Sequence, residues 1–156
     1  MHGAMPDIES LIQGSQKLKD IFGYWPSFHD AEVIELHLWR GDVEPDQRRY
    51  VFPVLTVMLH VWELTNEVDE RGYFVRRHHT LATLRFHSVE EFSMQGFNQQ
   101  NAIFELTIEQ RESADGPSPF FFVEFNPAYG MSASFRCFRV EVVDAVPFTK
   151  DGEENA

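Results

Sequence analysis

The segment YWPSFHDAE, residues 24–32, contains the densest group of side chains that could do chemistry. Ser27, His29 and Asp30 provide the hydroxyl, imidazole and carboxylate of a nucleophilic triad. Triad groups act through space and usually come from distant segments, so their adjacency in sequence is no evidence for catalytic geometry. The sequence also has no G-x-S-x-G elbow and no glycine-rich phosphate loop. An enzyme with these three residues in its site is one interpretation, but we assign no catalytic residue.

A metal site is a second possible use of the polar side chains. His78 and His79 are adjacent in a strand-like segment, where successive side chains face opposite ways, so regular strand geometry prevents them from sharing one ion. A cross-strand site that uses His37, His60, His79 or His87 stays open. The alternative function is thus a small-ligand or metal-binding domain that uses the concave sheet face and these histidines. We predict no metal and no cofactor.

The segment also fits a structural corner between a helix and a sheet. Pro26 prevents the helix from resuming, and Ser27 and Asp30 can bond to nearby backbone groups in a tight turn. Two aromatic side chains can fill the gap between helix and sheet, and the imidazole can hold the corner by a hydrogen bond. The predicted structural motif consists of Trp25, Pro26, Ser27, Phe28, His29, Asp30 and Glu32.

The elements that must position this corner follow from hydrophobic spacing. Apolar residues recur at helical spacing from Pro6 to Phe22, with Gly23 as the stop and Gly14 as a possible break into two short helices. Six later segments alternate with a period of two: AEVIELHLW, VFPVLTVMLHVWEL, YFVRRHHTLATLRFH, NAIFELTIEQ, PFFFVEF and SASFRCFRVEVV. SVEEFSMQGFNQQ could hold a helical turn capped by Ser88. We predict an α+β fold, with the N-terminal helix packed on a curved, mostly antiparallel sheet of about six strands.

Composition bounds the domain count, the compartment and the partners. The chain has 156 residues and suits one domain over residues 1–148, followed by a mobile acidic tail over 149–156. The lone Cys137 cannot form an intramolecular disulfide, and the sequence has neither a secretory signal nor a membrane-spanning apolar run, so we expect a cytoplasmic protein. A net charge of −12 disfavours nucleic acid as a partner and attracts basic proteins.

Residues 22–33, FGYWPSFHDAEV, resemble the immunity protein 50 family of bacterial polymorphic-toxin systems, and the order of helix and strands is similar over most of the chain. The resemblance implies a non-enzymatic cytoplasmic protein that binds a cognate secreted toxin domain and blocks its activity. It does not identify the toxin, the binding face or the oligomeric state.

The order of strands predicts where acidic residues collect. In an up-and-down meander, the start of the first strand and the second and fourth connections lie at one end of the sheet. At that end Asp30 and Glu32 would lie near the acidic residues of the second and fourth connections. A basic toxin such as a nuclease could bind there. The predicted partner-binding residues are Glu63, Glu67, Asp69, Glu70, Glu109, Glu112 and Asp115.

Overall fold

The computed structural model describes residues 7–41, 43–44, 49–50, 52–114 and 118–148. The predicted acidic tail and Asp115 lie outside these residues. A 3-10 helix, Ile8–Leu11, precedes α1, Gln16–Phe22. The strands are β1 (Glu32–Trp39), β2 (Val43–Glu44), β3 (Arg49–Tyr50), β4 (Val54–Val68), β5 (Phe74–His87), β6 (Glu90–Gln95), β7 (Ile103–Arg111), β8 (Phe120–Pro127), β9 (Ser132–Cys137) and β10 (Arg139–Pro147). No helix among the described residues is long and apolar enough to cross a membrane.

The strands form two four-stranded antiparallel sheets, not the single six-stranded sheet expected from the sequence. The first sheet has the order β1-β4-β5-β10 and the second the order β6-β9-β8-β7, while β2 and β3 pair separately. The protein is therefore mainly β with a small helical part. The chain crosses between sheets at Ser88, which has a φ of 61°, and at Phe138, which separates β9 from β10.

Two local predictions change as a result. The segment after Ser88 forms β6 instead of a helical turn, and it pairs with β9 through Ser93, Met94 and Gln95. SASFRCFRVEVV, which alternates as if it were one strand, contributes β9 to one sheet and β10 to the other. Alternation indicates that one face of a strand is buried, but it does not indicate which other strand pairs with it.

Both sheets bury one face in a common hydrophobic core. In the first half of β4, from Leu55 to Val61, every second residue is buried. Across the core, the ring of Phe86 from the first sheet packs edge-on against Phe135 of the second, with 5.0 Å between ring centroids. Edge-to-face pairs of this kind contribute beyond the area they bury, so the two sheets stabilise each other through their aromatic side chains.

The N-terminal segment covers the β10 edge of the first sheet. Gly14, with a φ of 73°, separates the 3-10 helix from α1, as its position in the sequence suggested. The backbone N–H of Gln13 donates to Val140 O over 2.9 Å, and Val142 N donates to Gln13 O over 2.7 Å. Paired or covered edges do not recruit other strands, so this contact protects β10 along part of its length.

The β8–β9 turn packs closely on the loop that precedes β7. Gly130 has a φ of 83°, and a Cβ there would lie 2.1 Å from Gln100 O. Gly72 in the β4–β5 turn has a similar φ of 86°, but a Cβ there would have nothing within 4 Å. Substitution of Gly72 would therefore cost only backbone strain, whereas substitution of Gly130 would add a steric clash.

We expect Gly72→Ala to lower the free energy of unfolding by about 1–2 kcal/mol through left-handed strain alone. Gly130→Ala should cost more, by about a further 1–3 kcal/mol, because the backbone must shift. Urea unfolding of the two variants and the parent measures the difference. Equal losses would mean that the β8–β9 turn moves away without cost.

Candidate protein-binding surface

The segment between α1 and β1 joins the two sheets by backbone hydrogen bonds. Asp30 N donates to Ile103 O and Ile103 N donates to Ala31 O, each over 2.9 Å, and Val33 N donates to Asn101 O over 3.0 Å. Ala31 and Val33 are buried. Because buried backbone groups need partners, this pairing fixes the start of β1 against the start of β7. We call residues 24–33 the corner.

The corner has an unusual backbone conformation. Phe28 and Asp30 have φ values of 62° and 66°, a region that non-glycine residues seldom adopt. Phe28 is only 3% exposed, and its ring packs edge-on against Trp25 with 5.4 Å between centroids. Burial of these rings compensates for the backbone strain and fills the space between α1 and the sheets.

Ser27, His29 and Asp30 have structural contacts. Ser27 Oγ accepts from the backbone N–H of His29 at 3.2 Å, not from its ring. The His29 ring donates from Nδ1 to Phe104 O over 2.8 Å, while its Nε2 lies 3.6 Å from Asp30 Oδ2. A hydroxyl that accepts from a backbone amide and an imidazole that donates to a carbonyl do not form a nucleophile–base pair.

Asn101, which the sequence analysis missed, completes the corner. It is 3% exposed; its Nδ2 donates to Asn98 O over 2.8 Å, and its Oδ1 accepts from Asn98 N over 2.9 Å. Its backbone N–H donates to Glu32 Oε1 over 2.9 Å, which gives that carboxylate a role at the corner. The run NQQN, residues 98–101, indicates a turn, but only the fold shows that its last asparagine is buried.

A cleft of about 180 Å³ separates the corner from the adjacent part of β4. Tyr24 Oη donates to Glu63 Oε2 over 2.7 Å across it. This hydrogen bond, then burial, raises the pKa of Tyr24, so the phenol stays protonated and keeps its donor. Tyr24 and Leu64 line the cleft and are exposed, and the exposed Phe104 packs against the His29 ring, which also lines the cleft. The corner therefore combines a rigid backbone with an exposed surface that is partly apolar and partly acidic.

The predicted acidic residues have mixed surroundings. Glu67 forms an ion pair with Arg77, and Glu109 forms one with Arg111 at 2.9 Å. The Arg77 hydrogen bond lowers the pKa of Glu67. Asp69 Oδ1 accepts hydrogen bonds from backbone N–H groups of the β4–β5 turn. Glu70 and Glu112 are exposed.

The strand pairing separates the two acidic connections that a meander would place at one end. Phe121 of β8 pairs with Cys137, so the β7–β8 connection lies near the end of β9. The chain then enters β10, where Arg139 pairs with His87, the last residue of β5. The β4–β5 turn lies instead before the first residue of β5. Among the described acidic residues of these two connections, Glu63 contacts the corner through its hydrogen bond with Tyr24, and the other acidic residues of the β4–β5 connection lie farther along the same hairpin.

The side chains of His37, His60, His79 and His87 lie on the face of the first sheet opposite the core. His60 Nε2 and His79 Nδ1 are 2.9 Å apart and share a hydrogen bond, and the Phe148 ring stacks on His60 with 4.1 Å between centroids. His37 and His87 line a separate cavity of about 400 Å³, and His87 bonds to Glu141 at 2.6 Å. Within the described ranges, no group of three or more His, Cys, Asp or Glu side chains is arranged to hold a metal ion.

Replacement of His29 tests the corner. His29→Ala removes the hydrogen bond to Phe104 O, so we expect the free energy of unfolding to fall by about 0.5–1.5 kcal/mol. His37→Ala is the matched control, since His37 is an exposed histidine away from the corner. Chemical denaturation compares them. Equal stability of the two variants would contradict a structural role for the His29 ring.

The His60–His79 pair should make stability depend on pH. Partial burial and, second, the Arg76 guanidinium lower the pKa of His79 below its ordinary value of 6.5. The unfolded chain then takes up a proton at a higher pH than the folded chain, so the free energy of unfolding falls as the pH drops through 6.5. Urea unfolding between about pH 7.5 and pH 5.5 should show a smaller fall for His79→Gln than for the control His37→Gln. Equal falls would rule out His79 as the source.

The comparisons with known proteins agree with the resemblance carried by residues 22–33. The family model described as Immunity protein 50 matches residues 14–148, which include the corner and both four-stranded sheets. No curated protein and no solved structure matches the chain significantly. The match over most of the 156 residues shows that the chain belongs to the immunity protein 50 family.

Proposed function

We propose that this protein is an immunity protein that neutralises a cognate secreted bacterial toxin by stoichiometric binding in the cytoplasm. Family membership over residues 14–148 is the observation that carries the proposal. The family description implies protection from a toxin, and the simplest physical means of protection is a tight complex that covers the toxin's active site. The partner is therefore a protein domain, and the protein itself needs no catalytic group.

The use of the polar corner residues supports binding over catalysis. The Ser27 hydroxyl and the His29 ring bond to backbone groups instead of to each other, and the Trp25 and Phe28 rings are packed against each other. Exposed apolar side chains surround the same corner. Surfaces that combine exposed apolar groups with charged neighbours are typical of protein interaction sites.

The charge of the chain favours a basic toxin. A net charge of −12 attracts a cationic partner over long distances and speeds its association. The same charge repels nucleic acid, so a toxin with a basic nucleic-acid cleft is complementary to this protein. A nuclease is the toxin class that fits this argument best.

Coexpression tests the proposed function. The probe is the C-terminal domain of the secreted protein encoded beside this gene, produced in a bacterial host with and without the immunity protein. We expect the probe to arrest growth alone and the coexpressed protein to restore it. Native mass spectrometry of an inactivated probe should then show a stoichiometric complex.

Two outcomes would contradict the proposal. Growth arrest that persists despite soluble, folded protein would show that it does not neutralise this toxin domain. Recovery of the protein alone with a bound metal ion or small molecule would favour the alternative function on the histidine-bearing face. An unrelated acidic protein of similar size is the control for nonspecific charge effects.

A further inference from the structure

The β4–β5 hairpin extends beyond the rest of its sheet. β1 pairs with β4 only as far as His60, and β10 pairs with β5 only from Thr80 onward. From Glu63 to Arg77, β4 and β5 pair only with each other within the described strands. We call residues 63–77 the protruding hairpin. A two-stranded ribbon without a covering layer is marginally stable in water, so its shape needs a local explanation.

Local hydrogen bonds hold the protruding hairpin in one conformation. Asp69 Oδ1 accepts from Arg71 N at 2.9 Å and from Tyr73 N at 3.0 Å, while Gly72 provides the left-handed residue of the turn. Lower on the hairpin, Thr65 Oγ1 donates to Val75 O over 2.7 Å, where the register is irregular. The corner supports the base through the Tyr24–Glu63 hydrogen bond. An element ordered in this way loses little entropy when it binds.

The protruding hairpin exposes large apolar side chains. Leu64 is 59% exposed, Val68 56%, Tyr73 68% and Phe74 57%. Val68 and Phe74 are direct cross-strand partners, so they form a pair at the tip beside Tyr73. Removal of exposed apolar side chains from water is favourable, so a partner that covers them on a projecting element is stabilised there. Aromatic residues at such tips are frequent hot spots of protein interfaces.

The charges around this tip indicate the chemistry of the partner. Four carboxylates lie on the protruding hairpin, at Glu63, Glu67, Asp69 and Glu70. Of the three cations on the protruding hairpin, Arg77 pairs with Glu67 and the Arg76 guanidinium lies 4.9 Å from the centre of the Trp62 ring, while Arg71 is exposed at the turn and offsets one of the four carboxylates. Glu70 is exposed at the turn, next to Asp69.

We propose that the protruding hairpin inserts into a basic cleft of the toxin domain, with Tyr73 and Phe74 as the buried anchors and the carboxylates facing cationic side chains around them. A projecting ribbon fits a concave surface, and its acidic flank matches a cleft that binds phosphate. Occupation of that cleft would exclude the toxin's own substrate. The inference rests on the proposed function and specifies which surface performs it.

Anchor substitutions test the contact. The binding partner is the catalytically inactivated C-terminal toxin domain, and the measurement is biolayer interferometry with the full-length protein. We expect Tyr73→Ala and Phe74→Ala each to raise Kd by at least about tenfold, as hot-spot aromatic residues do. Tyr129→Ala and Phe97→Ala are matched controls, because both side chains are exposed and lie outside the protruding hairpin. Unfolding by urea should be nearly the same for all four variants.

A charge substitution tests the chemistry of the cleft. We expect Glu70→Lys to lower the association rate and to reduce its dependence on salt, since it reverses a charge beside the anchors. Glu112→Lys, at the β7–β8 connection, makes the same change in net charge away from the protruding hairpin and serves as the control. Equal effects of the two substitutions would mean that only net charge matters, and would overturn the basic-cleft assignment.

The remaining outcomes separate the inference from the proposed function. If the parent and the anchor variants bind the toxin domain equally, the inference is wrong while the proposed function stands. If the parent does not bind, the proposed function fails and the inference fails with it. If native mass spectrometry shows the parent as a dimer that Tyr73→Ala and Phe74→Ala convert to a monomer, with toxin binding unchanged, the tip binds a second copy and the inference is overturned.

Discussion

The structure depends on the backbone pairing between residues 30–33 and 101–103. These residues lie where the two sheets meet, and the N–H and C=O groups of Ala31 and Val33 are in buried positions that water does not reach. An unpaired buried backbone group costs about 1–3 kcal/mol, so the pairing strongly favours one relative placement of β1 and β7. The positive φ values of Phe28 and Asp30 follow from this constraint, because the chain must turn sharply to reach the partner segment.

The same pairing links the corner to the protruding hairpin. The corner holds Tyr24 where its hydroxyl reaches Glu63, and the His29 ring contacts Phe104 at the start of β7. Residues at the corner therefore support the base of the element that we propose as the binding surface. A ribbon that extends beyond its sheet would otherwise flex at the point where β1 and β10 end. The hydrogen bond between Tyr24 and Glu63 connects that point to the corner.

Local patterns predicted much of this arrangement, and long-range pairing accounts for what they missed. The alternating segments that became β1, β4, β5, β7 and β8 were recognisable because each buries one face, and the break at Gly14 follows from its lack of a side chain. The second sheet was missed because Phe138 interrupts an alternating run without a glycine or proline. The β6 segment has few apolar residues and pairs at the edge of its sheet, so its sequence carries a weak strand signal.

The site shows the same division between local and long-range information. The aromatic and hydrogen-bonding roles at YWPSFHDAE can be inferred from residue types, because most of these contacts lie within a few positions. The burial of Asn101 depends on a segment nearly seventy positions earlier in the chain, as its bond to Glu32 shows. The length of the protruding hairpin depends on where β1 and β10 end, which no property of β4 or β5 alone determines.

Charge and apolar contact have separate roles in the proposed mode of binding. A net charge of −12 attracts many basic proteins, so it raises association rates without selecting one partner. Selection requires contacts that only a complementary cleft can make, and buried aromatic side chains provide them because their shape must match the cavity that they enter. In this proposal the corner residues affect neither association nor partner selection directly; they support the base of the protruding hairpin through the Tyr24–Glu63 hydrogen bond. In the proposed mode of binding, the residues that control folding and those that control recognition are therefore distinct, even though the hydrogen bond between Tyr24 and Glu63 joins the two regions.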